Sequence, residues 1–190
     1  MSTLPKSPFT DVVAGSWYFD AALYASSHNL MLGTSPTEFS PNITMTRGML
    51  VTVLYRMNGS PSVSGKTPFT DVRTDEWYSA AVLWAYQNGI VTGMSDTTFA
   101  PINNVTREQM ATILFRYTKT AAPDKAKASA DLSGFADAGS VNDWAVDAMR
   151  WAVGQKLIAG ITLEQSVYLQ PRGNATRAQA ATVLTRYYAQ

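Results

Sequence analysis

Apolar residues recur at helical spacing in three stretches of this chain. Leu50, Val53, Leu54 and Met57 fall at i, i+3, i+4 and i+7; so do Met110, Ile113, Leu114 and Tyr117, and again Ala180, Val183, Leu184 and Tyr187. Each set is one narrow face of an amphipathic helix. Thr46, Thr106 and Thr176 precede these faces, and a threonine there reads as an N-cap whose hydroxyl takes an orphan backbone N–H. Gln109 and Gln179 complete capping boxes in the second and third stretches, whereas Met49 breaks the box in the first. A shorter helix is predicted upstream of each, clearest in Trp77, Ala81, Trp84, Ala85 and Asn88, with Asp75 and Glu76 well placed at its start. Gly89 suits the residue just past that helix, a place held elsewhere by Asn29 and Lys156. Turn formers from Thr92 to Pro101 then separate the two helices.

This pattern is an internal repeat. Phe9-Thr10-Asp11-Val12 returns as Phe69-Thr70-Asp71-Val72, an offset of 60 residues. Without a gap, that offset pairs Trp17 with Trp77, Gly33 with Gly93, Pro41 with Pro101, Arg47 with Arg107 and Arg56 with Arg116. A third copy needs small insertions and supplies Phe135, Asp137, Trp144, Gly160, Pro171, Arg177 and Arg186. The sequence therefore predicts an all-α unit over 1–190 built from three helix-loop-helix modules, 9–58, 69–118 and 135–190, with connectors 59–68 and 119–134. One narrow stripe cannot bury itself, so the three second helices are expected to bury theirs against each other in a pseudo-threefold bundle. The connector starting at Asn58-Gly59 reads as a turn-rich link. Thr120 to Asp131 is either an extra helical turn or an ordered strap.

An arginine follows each threonine cap: Arg47, Arg107 and Arg177. A cation there faces the positive end of the helix dipole at a cost of roughly 0.3–1 kcal/mol. Three such placements point to an anion at the spot, since a helix N-terminus beside an arginine is a ready anion site. The alternative is an internal ion pair with Asp11, Asp71 and Asp137, which recur with the same period. Arg56, Arg116 and Arg186 also recur, but near helix C-termini, where a cation is favoured, and read as structural.

Composition narrows the chemistry. A net charge of +1 gives no electrostatic footprint for nucleic acid, and no lysine run marks a membrane surface. No cysteine is present and His28 is the sole histidine, which excludes disulfides, thiolate metal sites and multi-histidine metal sites. No metal or cofactor is expected. The acidic residues fall on turns and helix starts, where capping explains them, so catalysis is not expected either. Asn42-Ile43-Thr44, Asn104-Val105-Thr106 and Asn174-Ala175-Thr176 match the glycosylation sequon, and the last two recur because they lead into a capped helix. Met1 to Pro8 is too short and polar for a signal peptide.

Phe-Thr-Asp, a tryptophan, a glycine-containing loop ending Phe-x-Pro and a Thr-Arg helix start together resemble the S-layer homology domain family. The resemblance covers nearly the whole chain as three tandem modules. It implies a three-pronged bundle whose grooves, between neighbouring modules, bind secondary cell-wall polysaccharide, often bearing pyruvate ketals. Such a chain anchors exported proteins on the bacterial surface, here as a mature segment without its signal peptide. The family's Thr-Arg-Ala-Glu start reads Thr-Arg-Gly-Met, Thr-Arg-Glu-Gln and Thr-Arg-Ala-Gln in this chain, so the arginine is kept three times and the glutamate never.

The candidate ligand-binding residues are then Arg47, Arg107 and Arg177 for a carboxylate, Asp11, Asp71 and Asp137 for sugar hydroxyls, Trp17, Trp77 and Trp144 for a pyranose face, and Gly33, Gly93 and Gly160. Residue chemistry alone leaves competing roles open. The aspartates could cap turns, and tryptophans on a helical stripe more often plug a core. The glycines could simply permit positive φ. Tyr24, Trp84 and Trp151, one helical stage further on, are assigned to packing. A monomer is expected. The rival functions are a protein–protein assembly module and an accessory segment of a wall-degrading enzyme.

Overall fold

A computed structural model describes residues 7–189; the N-terminal reading above falls, up to Lys6, outside them. The fold is mostly helical. Two α-helices form in each repeat: α1 (Phe19–Ser27) and α2 (Arg47–Met57), α3 (Ser79–Gln87) and α4 (Arg107–Ala121), α5 (Val146–Gly154) and α6 (Arg177–Tyr188). The all-α expectation needs one amendment. In the third repeat the inserted residues form an antiparallel hairpin of β1 (Ile161–Leu163) and β2 (Ser166–Tyr168), turned at Glu164 with φ 54°.

Local chemistry sets the helix ends. The hydroxyls of Thr46, Thr106 and Thr176 accept from the N–H of Met49, Gln109 and Gln179. Both glutamines return the bond to the cap backbone, and the first repeat lacks it. At the other end of the short helices, Asn29, Gly89 and Lys156 take φ values of 55°, 68° and 58°. Leu30, Ile90 and Leu157 then donate back to the carbonyls of Ala25, Ala85 and Ala152, the left-handed closure that satisfies the last carbonyls.

Helix pairing runs between repeats. α2 packs on α3, α4 on α5, and α6 returns to α1. Each second helix packs on the first helix of the following repeat, and the stripe residues Tyr117 and Tyr187 join α4 to α6 at 6.0 Å between rings. The reason lies at the helix starts. Met45 donates to Ala175, Ala175 to Val105 and Val105 to Met45, at 2.8–2.9 Å, a closed ring of backbone hydrogen bonds among fully buried residues. That ring fixes the three starts together, and each helix then descends against its neighbour's first helix.

The long connector is an ordered strap. α4 continues to Ala121, a 3-10 turn follows at Pro123–Lys127, and the Lys125 carbonyl accepts the indole N–H of Trp151 at 2.9 Å. Ala130 N–H donates to Arg150.

Candidate functional site

The helix starts themselves hold no vacancy for an anion. N–H groups of Arg47 and Gly48 donate to Asn103 and Pro101, those of Arg107 and Glu108 to Gly173 and Pro171, and those of Arg177 and Ala178 to Ile43 and Pro41. Carbonyls of the next repeat's loop thus consume the donors that an anion would need. The anion-at-the-dipole expectation is corrected on this point.

Arg47, Arg107 and Arg177 are about 5% exposed. Their Nε atoms donate to the carbonyls of Phe99, Leu169 and Phe39 in the neighbouring repeat, at 2.7–2.9 Å. The guanidiniums of Arg47 and Arg177 also lie 4.7 and 4.8 Å over the rings of Phe99 and Phe39. No ion pair forms with the recurrent aspartates; among the described residues the ion pairs are Arg73–Asp75 and Lys127–Asp124. Burial lowers the pKa of all three arginines, opposed in part by Asp71, Asp137 and Asp11 respectively. For Arg47 the value falls to about 10, with the nearby Arg116 pushing it further down. All three stay cationic at neutral pH.

The aspartates are loop clamps. Asp11 accepts from the N–H of Phe39 and Ser40, Asp71 from Phe99 and Ala100, and Asp137 from Leu169 and Gln170, each carboxylate oxygen taking one bond of 2.7–2.9 Å. The clamp holds Ser40, Ala100 and Gln170 at φ 56°, 58° and 49° just before the loop prolines. None of the three aspartates lines the cavities described below.

The tryptophans are not core. Trp17, Trp77 and Trp144 are 67%, 58% and 53% exposed, so the packing role falls to Trp84 and Trp151, both buried. Of the glycines, Gly93 and Gly160 have φ 82° and 77°. Gly33 does not have positive φ, and its requirement is steric: an added Cβ would sit 2.5 Å from the Ser35 carbonyl oxygen and 2.7 Å from the Phe9 ring.

Two grooves gather part of this set, each from all three repeats, and leave out Trp77, Gly33 and the three aspartates. Groove A, about 360 Å³, joins Arg47 of the first repeat, Thr92–Met94 and the α4 side chains Gln109, Thr112 and Arg116 of the second, and Trp144 of the third. Groove B, about 500 Å³, joins Arg107, the stretch Leu157–Ile161 with Gln179, Thr182 and Arg186, and Trp17. Gly93 and Gly160 line A and B respectively. In both, the Nη groups of the buried arginine donate no hydrogen bond among the described residues. Since no fully buried side-chain nitrogen or oxygen lacks a partner among the described residues, those atoms reach the groove. No carboxylate lines either groove. The third set differs: Arg177 Nη2 is taken by the Leu32 carbonyl at 2.6 Å, and Met49 replaces the groove glutamine.

Arg116 and Arg186, which their place near helix C-termini marks as structural, both line the grooves. Arg116 donates to Thr92 Oγ1 at 3.3 Å, and Arg186 to the Lys156 and Leu157 carbonyls at 3.4 and 3.1 Å. Their periodic recurrence was a signal, but the helix dipole already explained a cation at that end.

Comparison with known proteins adds to this geometry. The S-layer homology domain pattern matches residues 8–48, 68–111 and 134–181. An endoglucanase of Bacillus sp. (strain KSM-635) is 34% identical over 178 residues, which are 94% of this chain and 18% of that protein. An amylopullulanase of Thermoanaerobacterium thermosulfurigenes is 28% identical over 93% of this chain and 9% of its own length. The surface-layer 125 kDa protein of Lysinibacillus sphaericus is 32% identical over 81% of this chain and 12% of its own. The chain thus spans less than a fifth of these relatives.

Proposed function

Because this chain belongs to the S-layer homology domain family, whose members anchor proteins to the cell wall, we propose that it is the wall-binding segment of an exported bacterial protein. It takes a secondary cell-wall polysaccharide in grooves A and B, without catalysis, metal or cofactor. The observation carrying this reading is groove A, where two guanidiniums unneutralised by any lining carboxylate share a cavity with an exposed tryptophan.

In this mechanism a carboxylate, such as a pyruvate ketal, sits between Arg47 and Arg116, and between Arg107 and Arg186 in groove B. Charge-assisted hydrogen bonds of this kind contribute about 1.5–3 kcal/mol each. Trp144 or Trp17 covers the sugar face, and the glycine loop lets the ring approach the backbone. Asp11, Asp71 and Asp137 act by holding the loops. The same reading treats the chain as a three-pronged, pseudo-threefold monomer with modules 9–58, 69–118 and 135–190; the cyclic helix pairing and the backbone ring support it. With two grooves on one polymer, the second contact is intramolecular and raises avidity.

Calorimetric titration with native and depyruvylated wall polysaccharide tests the proposal. Binding to the native polymer alone is expected. Equal binding to both would refute the carboxylate mechanism, and binding to neither would refute the ligand.

A further inference from the structure

A separate cavity of about 400 Å³ lies where α1 ends, beside the ends of α2 and α6. Its walls include His28, Asn29, Leu32, Arg56, Ser60 and Tyr188, drawn from the first and third repeats. The aromatic side is built, not incidental. His28 stacks on Tyr24 at 3.9 Å between rings and an interplanar angle of 20°, and Nδ1 donates to the Tyr24 carbonyl at 2.9 Å. Tyr188 closes on both, 6.2 Å from Tyr24 and 5.9 Å from His28, while remaining 47% exposed.

The polar side is the Arg56 guanidinium. Arg116 and Arg186, at the same place in the other repeats, are tied to their own loops by Thr92 and by the Lys156 and Leu157 carbonyls. In the first repeat Leu32 stands where Thr92 stands in the second, so its side chain offers no acceptor, and its carbonyl is already taken by Arg177. The Arg56 side chain therefore makes no hydrogen bond or ion pair among the described residues, and no acidic residue lines the cavity. An amide at Asn29 and a hydroxyl at Ser60 stand beside it, the latter at a turn where Gly59 and Ser60 both have positive φ (77° and 51°).

An exposed aromatic ring, an unpaired guanidinium and neutral hydrogen-bonding groups around one cavity are the chemistry that recognises an acidic sugar. We propose that this cavity is a third saccharide site, in which one acidic pyranose packs on Tyr188 with its carboxylate on Arg56. It rests on the reading that the chain binds an acidic wall polymer, and it gives the first repeat a site of its own beside the Leu32 carbonyl that Arg177 holds.

The test is an NMR titration of the whole chain with the methyl glycoside of a 4,6-O-pyruvylated hexose, and separately with the unmodified glycoside. The indole N–H signals of Trp17 and Trp144 report on the grooves; the backbone amides of Asn29 and Ser60 and the His28 ring report on this cavity. Both sets are expected to move with the pyruvylated glycoside, and the cavity set is expected not to move with the unmodified one. Arg56→Met or Tyr188→Ala is expected to weaken the cavity response at least tenfold while the indole responses persist, which also shows the variant to be folded. Moving indoles with unmoved Asn29, Ser60 and His28 would overturn this site and leave the grooves intact. Movement at Asn29, Ser60 and His28 with still indoles would keep this site and overturn the grooves. Equal cavity shifts with both glycosides would overturn the acidic-sugar assignment.

Discussion

At Arg47 the competing effects can be weighed. A folded pKa of about 10 lies below the ordinary arginine value because burial disfavours the cation. A depressed folded value means that the neutral form is the one folding favours. The associated stability is present above the unfolded value and is lost as pH falls through about 10. At neutral pH the chain therefore carries the penalty of a buried cation with no ion pair, on the order of 3 kcal/mol. Arg47→Met removes that penalty but strands the Phe99 carbonyl, a loss of about 1–3 kcal/mol. The two effects nearly cancel, so melting is expected to shift by no more than about 4–6 °C while calorimetric affinity for pyruvylated polymer falls. A loss of stability above about 3 kcal/mol would instead make Arg47 a structural residue. Trp144 has the opposite profile, being half exposed. Trp144→Ala is expected to leave the melting temperature unchanged and to weaken binding roughly two- to tenfold, the loss of a stacking contribution of about 0.5–1.5 kcal/mol.

Among the elements, the helix ends were the most legible in the sequence. Thr46, Thr106 and Thr176 cap as expected because a cap depends on residues within one turn of it. Lys156 was recognised as standing where Gly89 stands, and both prove left-handed. An L-residue there carries strain of about 1–2 kcal/mol that glycine avoids, offset by glycine's greater freedom in the unfolded chain. Lys156→Gly should consequently raise stability by about 0.5–1 kcal/mol in urea titration, with an unchanged slope. No gain would mean that the Lys156 conformation is unstrained. The hairpin of β1 and β2 was not legible, since six strand residues inside an insertion carry too little alternation to stand out. The aspartates were only half legible. Their position before the first helix suggested a cap, but the N–H groups they hold belong to a loop 28–33 residues onward.

For the whole molecule, the sequence revealed three copies but not which copy supplies which wall of a groove. Arg47, Gly93 and Trp144 belong to three different repeats, and their meeting follows from a pairing order that no single repeat encodes. That order is cyclic, with α6 returning to α1 and the Met45–Ala175–Val105 ring closed on itself. An open repeat array adds stability unit by unit and tolerates loss of a terminal copy. A closed one does not, because deleting any copy uncovers a packed face at each cut and opens the ring. Removing residues 134–190 would strip α1 of α6 and α4 of α5, and would leave the Met45 N–H without its acceptor. The full chain is therefore expected to melt in one calorimetric transition with equal van't Hoff and calorimetric enthalpies. A chain truncated at 133 is expected to lose its near-ultraviolet dichroism and its cooperative transition altogether. A truncated chain that still melted cooperatively, at about two-thirds of the enthalpy, would show that the repeats add as in an open array and that ring closure contributes little.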